Sequence, residues 1–182
     1  MSGLWSHIGL AGMIAFMEVV SLRRPRSQTR TRAKPSPAAV RGRAREFVVR
    51  AIARVELRAE AAPAGLPADL LVEGARGHAV LVRLLATAAP HHRGGRGSLG
   101  LHWMLSDTPV EYVALVDLSR ERGWLMPATD FRARAQPVAG GRYHLDWIVV
   151  PIGRPRTKVA LEEEFEEYAF ERALPLLAGR LS

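Results

Sequence analysis

The stretch Ala79-Val80-Leu81-Val82-Arg83-Leu84-Leu85 constrains this chain more than any other. Both alternating faces of the run are apolar, and Arg83 is its single base. A strand of that kind has to be covered on both sides, so it belongs at the centre of a sheet between two other layers. Just before it, Asp69-Leu70-Leu71-Val72-Glu73 forms another apolar run that opens on an acid, and Gly74-Ala75-Arg76-Gly77 joins the two as a turn. The pair reads as a β-hairpin, with strands near 68–73 and 78–86.

The rest of the chain alternates helix and strand around that hairpin. Ser36-Pro37 is a helix start, a capping side chain followed by proline in the first turn. Val40, Ala44, Phe47, Val48, Ala51, Ile52 and Val55 then recur at three- and four-residue spacing, which predicts a helix to about Val55. A short strand is expected over 55–60 and further strands over Leu99–Leu105, Tyr112–Leu118, Trp124–Pro127 and Tyr143–Val150. A brief helix is expected at Thr129-Asp130-Phe131, a flexible basic loop over 88–98, and a last helix from Val159 to Leu177 that kinks or ends near Pro175. Its acids Glu162, Glu163, Glu164, Glu166 and Glu167 would sit in the first turns, where the helix dipole favours them. Trp103, Trp124 and Trp147 fall on strands and are expected in the core.

Charge is unevenly placed. Residues 1–58 carry 12 of the 26 basic residues and only Glu18, Glu46 and Glu56 as acids, a balance of +9, while residues 59–182 carry 14 bases and 15 acids, a balance of −1. Residues 1–36 are expected to be a leader and a basic arm. The Pro/Ser/Thr-rich segment 23–37 has too little apolar surface to order itself, and it can lie along a phosphate backbone. The moderately apolar stretch 4–22 carries Glu18 and is followed, not preceded, by arginines. That order argues against a secretory signal and against a membrane span. Met17 is an alternative start. There is no cysteine, so thiolate metal sites and disulfides are excluded; a reducing, cytoplasmic setting is the matching expectation. The domain proper is expected over 37–182.

Other constellations are weak. His91-His92, with His102 further on, lack the spacing and the cysteines of a zinc site. Gly94-Gly95-Arg96-Gly97 lacks the Lys-Ser/Thr ending of a phosphate-binding loop and does not open a helix. Ser98, Ser106 and Ser119 lack a nucleophile elbow.

The order of elements resembles the PD-(D/E)XK nuclease superfamily over roughly residues 38–135. The likeness lies in a helix, a short strand, the Asp69 strand, a glycine turn, the Arg83 strand, a further strand, and then Tyr112–Leu118 and Trp124–Pro127. It implies an α/β fold of restriction-endonuclease-like type, a mixed central sheet flanked by helices. It also implies a catalytic group of Asp69, Arg83 and Glu46, with Asp69 and Glu46 as metal ligands. In such enzymes the central strand carries an acid and, two residues on, a lysine; here Leu81 and Arg83 hold those places. Leucine cannot bind a hard cation, and arginine stays protonated, so it stabilises phosphate charge without acting as a base. No acid lies between Glu73 and Asp107, so no shift of register restores the missing one.

The expected function is therefore nucleic-acid binding, to DNA above all, by a nuclease-like protein whose metal-dependent cleavage is lost or impaired. Arg41, Arg43, Arg45 and Arg50 of the helix and Arg93 and Arg96 of the loop would contact phosphates. No cofactor is expected, or Mg²⁺ if the centre is active. A homodimer is an allowed assembly and no membrane is expected. Two alternatives stand beside this reading. One is an active, divergent Mg²⁺-dependent DNA endonuclease using Glu46, Asp69 and Arg83. The other is a non-catalytic protein-interaction domain on a relict nuclease fold, with the acidic C-terminal helix docking a partner.

Overall fold

The computed structural model describes residues 35–93, 98–150 and 159–182. Helix α1 (Pro37–Ala53) begins as its sequence requires: the Ser36 hydroxyl accepts from the Ala39 amide at 3.2 Å and Pro37 takes the first helical position. It buries Ala44, Val48 and Ile52. The short strand expected over 55–60 is displaced to β1 (Arg58–Ala61), because Glu56 turns the chain with a φ of 61°.

The hairpin forms from β2 (Leu70–Glu73) and β3 (Ala79–Thr87). Beyond it the chain runs through β4 (His91–Arg93), β5 (Ser98–Ser106), β6 (Tyr112–Asp117), β7 (Arg122–Pro127), α2 (Ala128–Arg134), β8 (Gln136–Val138), β9 (Arg142–Val150) and β10 (Ala160–Leu161). The chain ends in a 3₁₀ helix, Glu162–Tyr168, and α3 (Phe170–Leu181).

Two sheets result. The central one has the order β1-β2-β3-β6-β7; β3 and β6 run parallel and every other pair is antiparallel. The apolar-faced β3 is its middle strand. The other sheet has the order β10-β9-β5-β4, with β8 also on β9. The fold is thus α/β, with a mixed central sheet flanked by helices. On one face α1 and α3 pack Ala44, Val48, Ile52, Leu174 and Leu177 against Leu70, Val72, Val82 and Leu84. On the other, the second sheet, α2 and the 3₁₀ helix pack around Trp103, Trp124, Trp147, Phe131 and Phe165. All three tryptophans are buried, Trp147 stacked on Phe165 with centroids 4.2 Å apart.

Two expectations are corrected. Within the expected loop 88–98, His91-His92-Arg93 pairs with Ser98–Gly100 as a strand, because β5 presents an open edge there. The expected helix from Val159 to Leu177 is two helices. The backbone breaks at Ala169 (ψ 142°), which bridges to Trp124, and the glutamate segment is a 3₁₀ helix held from outside by arginines of the β6–β7 turn. The acids of that segment therefore answer those cations, and the acid in the first turn of α3 is a further one, Glu171. Pro175 does not end α3, since buried Leu174, Leu177 and Leu181 hold one apolar stripe across it.

Candidate functional site

The alternation of β3 decides what shares a face. Val82 and Leu84 belong to the core under α1 and α3, while Leu81 and Leu85 pack against the core of the second sheet. Arg83 lies between Val82 and Leu84 and so points with Leu81 and Leu85. Asp69 continues the β2–β3 ladder, its amide donating to the Val82 carbonyl at 3.0 Å. The hairpin register then sets its side chain beside Arg83. Arg83 Nε lies 3.3 Å from Asp69 Oδ2, and the same oxygen accepts from the Leu84 amide at 2.8 Å. The pair is half sheltered, with side-chain exposures of 34% and 18%.

Glu46 does not join them. It is exposed on α1, on the side turned away from Ala44, Val48 and Ile52, and α1 covers the face of the central sheet opposite Asp69. It makes no ion pair with Arg43 or Arg50 either. The three residues expected together are thus a pair and an outlier, and the correction has a simple cause: which face of a sheet a helix covers is set by tertiary packing. Magnesium asks for near-octahedral oxygen ligands. Asp69 offers one carboxylate already engaged by an amide and a guanidinium, Leu81 offers nothing, and Glu46 is across the sheet. This donor set does not fit the ion. Among the described residues no group of three His, Cys, Asp or Glu side chains is arranged to hold a metal.

Near Leu81 a different carboxylate appears. Glu111, just before β6, accepts from the Leu81 amide at 2.8 Å and donates its own amide to the Leu81 carbonyl at 3.2 Å. It seals the β3–β6 junction.

The α1 arginines separate as well. At 3.6 residues per turn, Arg43, Arg50 and Arg54 fall within about 40° of one another and form one ridge roughly 16 Å long. All three are exposed, and none has an acidic partner among the described residues. Arg41 and Arg45 are exposed too but project from the other side of the helix. Sequence reasoning counted Arg54 as a helix residue without giving it a role; its spacing of four from Arg50 was the available signal. Arg93 lies in β4, and Arg96 falls outside the described residues.

A second charged cluster was not foreseen. Asp117, fully buried at the end of β6, accepts from the Ser119 amide at 3.0 Å, the Ser119 hydroxyl at 2.8 Å and Arg120 Nε at 2.5 Å. Arg120 also donates both terminal nitrogens to Glu162, at 3.1 and 2.8 Å. Arg122 joins Glu162 and reaches Glu166 at 2.6 Å. Burial alone would lower the Arg120 pKa, but its hydrogen bonds to Glu162 and Asp117 outweigh that and raise it above its ordinary value. The cluster ties the β6–β7 turn to the 3₁₀ helix, with each arginine held between two carboxylates. His102 and His144, meanwhile, bring ring nitrogens within 2.7 Å on the outer face of the second sheet, with His91 edge-on to His102.

No protein-family model matches the sequence, and no curated protein matches it. Among solved structures the chain is similar to a bacterial homing endonuclease, I-Ssp6803I, with a TM-score of 0.53 and 10% identity; the match covers 81% of this chain and 94% of that one. At that identity the likeness is one of fold alone.

Proposed function

We propose that this chain is a DNA-binding protein built on a PD-(D/E)XK type of nuclease fold, with its metal-dependent cleavage centre lost or impaired. The observation that carries this reading is the contact of Arg83 with Asp69. In a hydrolytic centre of this kind, carboxylates hold a divalent cation that polarises the phosphate and activates water. Here the cation beside the retained carboxylate is a guanidinium. It balances the charge of the aspartate in place of a metal, and it cannot give up a proton. Charge available to a partner stands on α1, where Arg43, Arg50 and Arg54 form one ridge without acidic partners among the described residues. Such side chains bind phosphates without reading sequence, and their hold weakens with salt. The likeness to a homing endonuclease supports nucleic acid as the kind of partner.

The test runs the full chain against a DNA duplex with Mg²⁺ or Mn²⁺ and, on the same preparation, titrates binding over a range of salt. Binding that falls steeply with salt, with no cleavage product, is the expected result. Cleavage that Asp69→Ala abolishes would overturn the impaired-centre reading in favour of an active divergent enzyme. Absence of affinity at low salt would sink both and leave the protein-interaction alternative.

A further inference from the structure

A groove of about 440 Å³ lies between α1 and α3, within the size range of small-ligand sites. Its inner wall is aromatic and aliphatic. Phe47 is half-buried and stacks on Phe170 with centroids 5.9 Å apart and planes 23° from parallel, and Leu174 lies beside them. One rim carries Arg50 and Arg54, a helical turn apart and without acidic partners among the described residues. The other rim carries Glu121 and Glu171. Two features of that second rim are unusual. Glu121 holds a left-handed backbone (φ 51°), a place glycine or asparagine fills more readily. Pro175, also in the groove wall, has no N–H to donate to the Glu171 carbonyl one turn back in α3.

We propose that this groove seats one unpaired nucleotide of a single-stranded nucleic acid, a base that bears an exocyclic amino group. The base would lie on the flat apolar wall beside Phe47, its phosphate would meet Arg50 and Arg54, and its amino group would donate to the Glu121 carboxylate or the Glu171 carbonyl. Every base has a face that stacks on an aromatic ring, and carboxylates accept from the amino group of cytosine. The inference rests on α1 as the phosphate-facing element and adds to it the half-buried ring of Phe47 beside the arginine ridge. The acids on the second rim favour a ligand carrying both a negative phosphate and hydrogen-bond donors over a purely anionic one.

The experiment is a set of anisotropy titrations of the full chain with a labelled duplex, oligo(dC) and oligo(dT), with cytidine 5′-monophosphate as competitor. Variants are Ala51→Phe, which fills the groove, Glu121→Gly, which removes the carboxylate while relieving its backbone, and Arg43→Ala, on the ridge outside the groove. The wild type is expected to bind oligo(dC) about tenfold more tightly than the duplex, and oligo(dT) less tightly than oligo(dC). Ala51→Phe should abolish the single-strand preference and keep duplex affinity. Glu121→Gly, which has every reason to fold, should erase the difference between oligo(dC) and oligo(dT). An unchanged single-strand preference in folded Ala51→Phe overturns the groove, as does an unchanged base preference in Glu121→Gly. Competition by the free mononucleotide as strong as that of the oligonucleotide overturns the strand as its source. If instead Arg43→Ala leaves duplex binding and its salt dependence untouched, the ridge reading fails while the groove is judged by the other two variants.

Discussion

Arginine plays two opposite parts in this molecule. In the β6–β7 turn, Arg120 and Arg122 are saturated by Asp117, Glu162 and Glu166, and at the end of α2 Arg134 meets Glu167 at 3.0 Å. On α1, Arg43, Arg50 and Arg54 meet no acid among the described residues. The side chain is the same and the physical meaning differs. A guanidinium enclosed by carboxylates is part of the scaffold and offers nothing outward. One that stands alone on a helix ridge is a charge available to something else. Arginine abundance therefore says little about nucleic acid until each arginine's partners are known. Arg83, with one carboxylate and one-third exposure, lies between the two cases.

The largest effect comes from breaking the saturated region. Glu162 is almost fully buried and serves two arginines. Replacing it by alanine takes one of two carboxylate partners from each arginine, and breaking a buried pair by removing one partner costs about 3–5 kcal/mol. Since Arg120 and Arg122 keep some access to water, the low end applies, about 3 kcal/mol. For a chain of this size that is a drop in Tm of roughly 6–12 °C, readable by calorimetry. Nucleic-acid affinity measured below the transition should not change. A Tm shift under about 2 °C would show that the cluster is as dispensable as an ordinary surface ion pair.

How much of this was legible beforehand follows from how local each signal is. Helix α1 and strand β3 were readable because their periodicity and their cap lie within the segments themselves. The Asp69–Arg83 contact was nearly readable, because a hairpin register sets the two opposite each other once the turn is placed. The partition into two sheets was not: β5 pairs with β9, far along the chain, and nothing in either strand names its neighbour. The glutamate-rich segment has strong helix formers, yet its 3₁₀ form is imposed by Arg120 and Arg122 from another part of the chain. Glu46 failed for the same reason, since its distance from Asp69 depends on which face of the sheet α1 covers.

The unsaturated region gives the next prediction. Removing one phosphate-binding charge lowers the slope of log affinity against log salt by about 0.9 on duplex DNA. The triple variant of Arg43, Arg50 and Arg54 to alanine should therefore flatten the slope by about 2.7. Stability should stay nearly unchanged, since exposed substitutions away from structural features remain within about 0.5 kcal/mol each. Alanines at Arg41 and Arg45, which project from the other side of α1, should flatten the slope less. An equal effect of the two sets would erase the distinction between ridge and off-ridge arginines and restore α1 as a uniformly charged rod.

The smallest effect tests whether the saturated region behaves as a closed unit when its charge is altered by pH. The Tyr168 hydroxyl donates to Asp130 at 3.0 Å and accepts from Arg134 at 3.4 Å. Burial raises its pKa, the hydrogen bond from Arg134 pulls it down, and the one to Asp130 raises it; the net shift is upward. A phenol whose pKa is raised on folding favours the folded state while it is protonated. Its contribution is complete below the ordinary tyrosine value of about 10 and is lost as pH climbs through the raised one. Tyr168→Phe forgoes a hydrogen bond worth about 1 kcal/mol and has no proton to lose there. The Tm difference between the two proteins should hold steady up to about pH 10 and shrink beyond it. A difference that grows with alkalinity would mean that the phenolate is welcomed by Arg134, which would make that arginine less fully satisfied by Glu167 than its geometry indicates and move it toward the ridge arginines of α1.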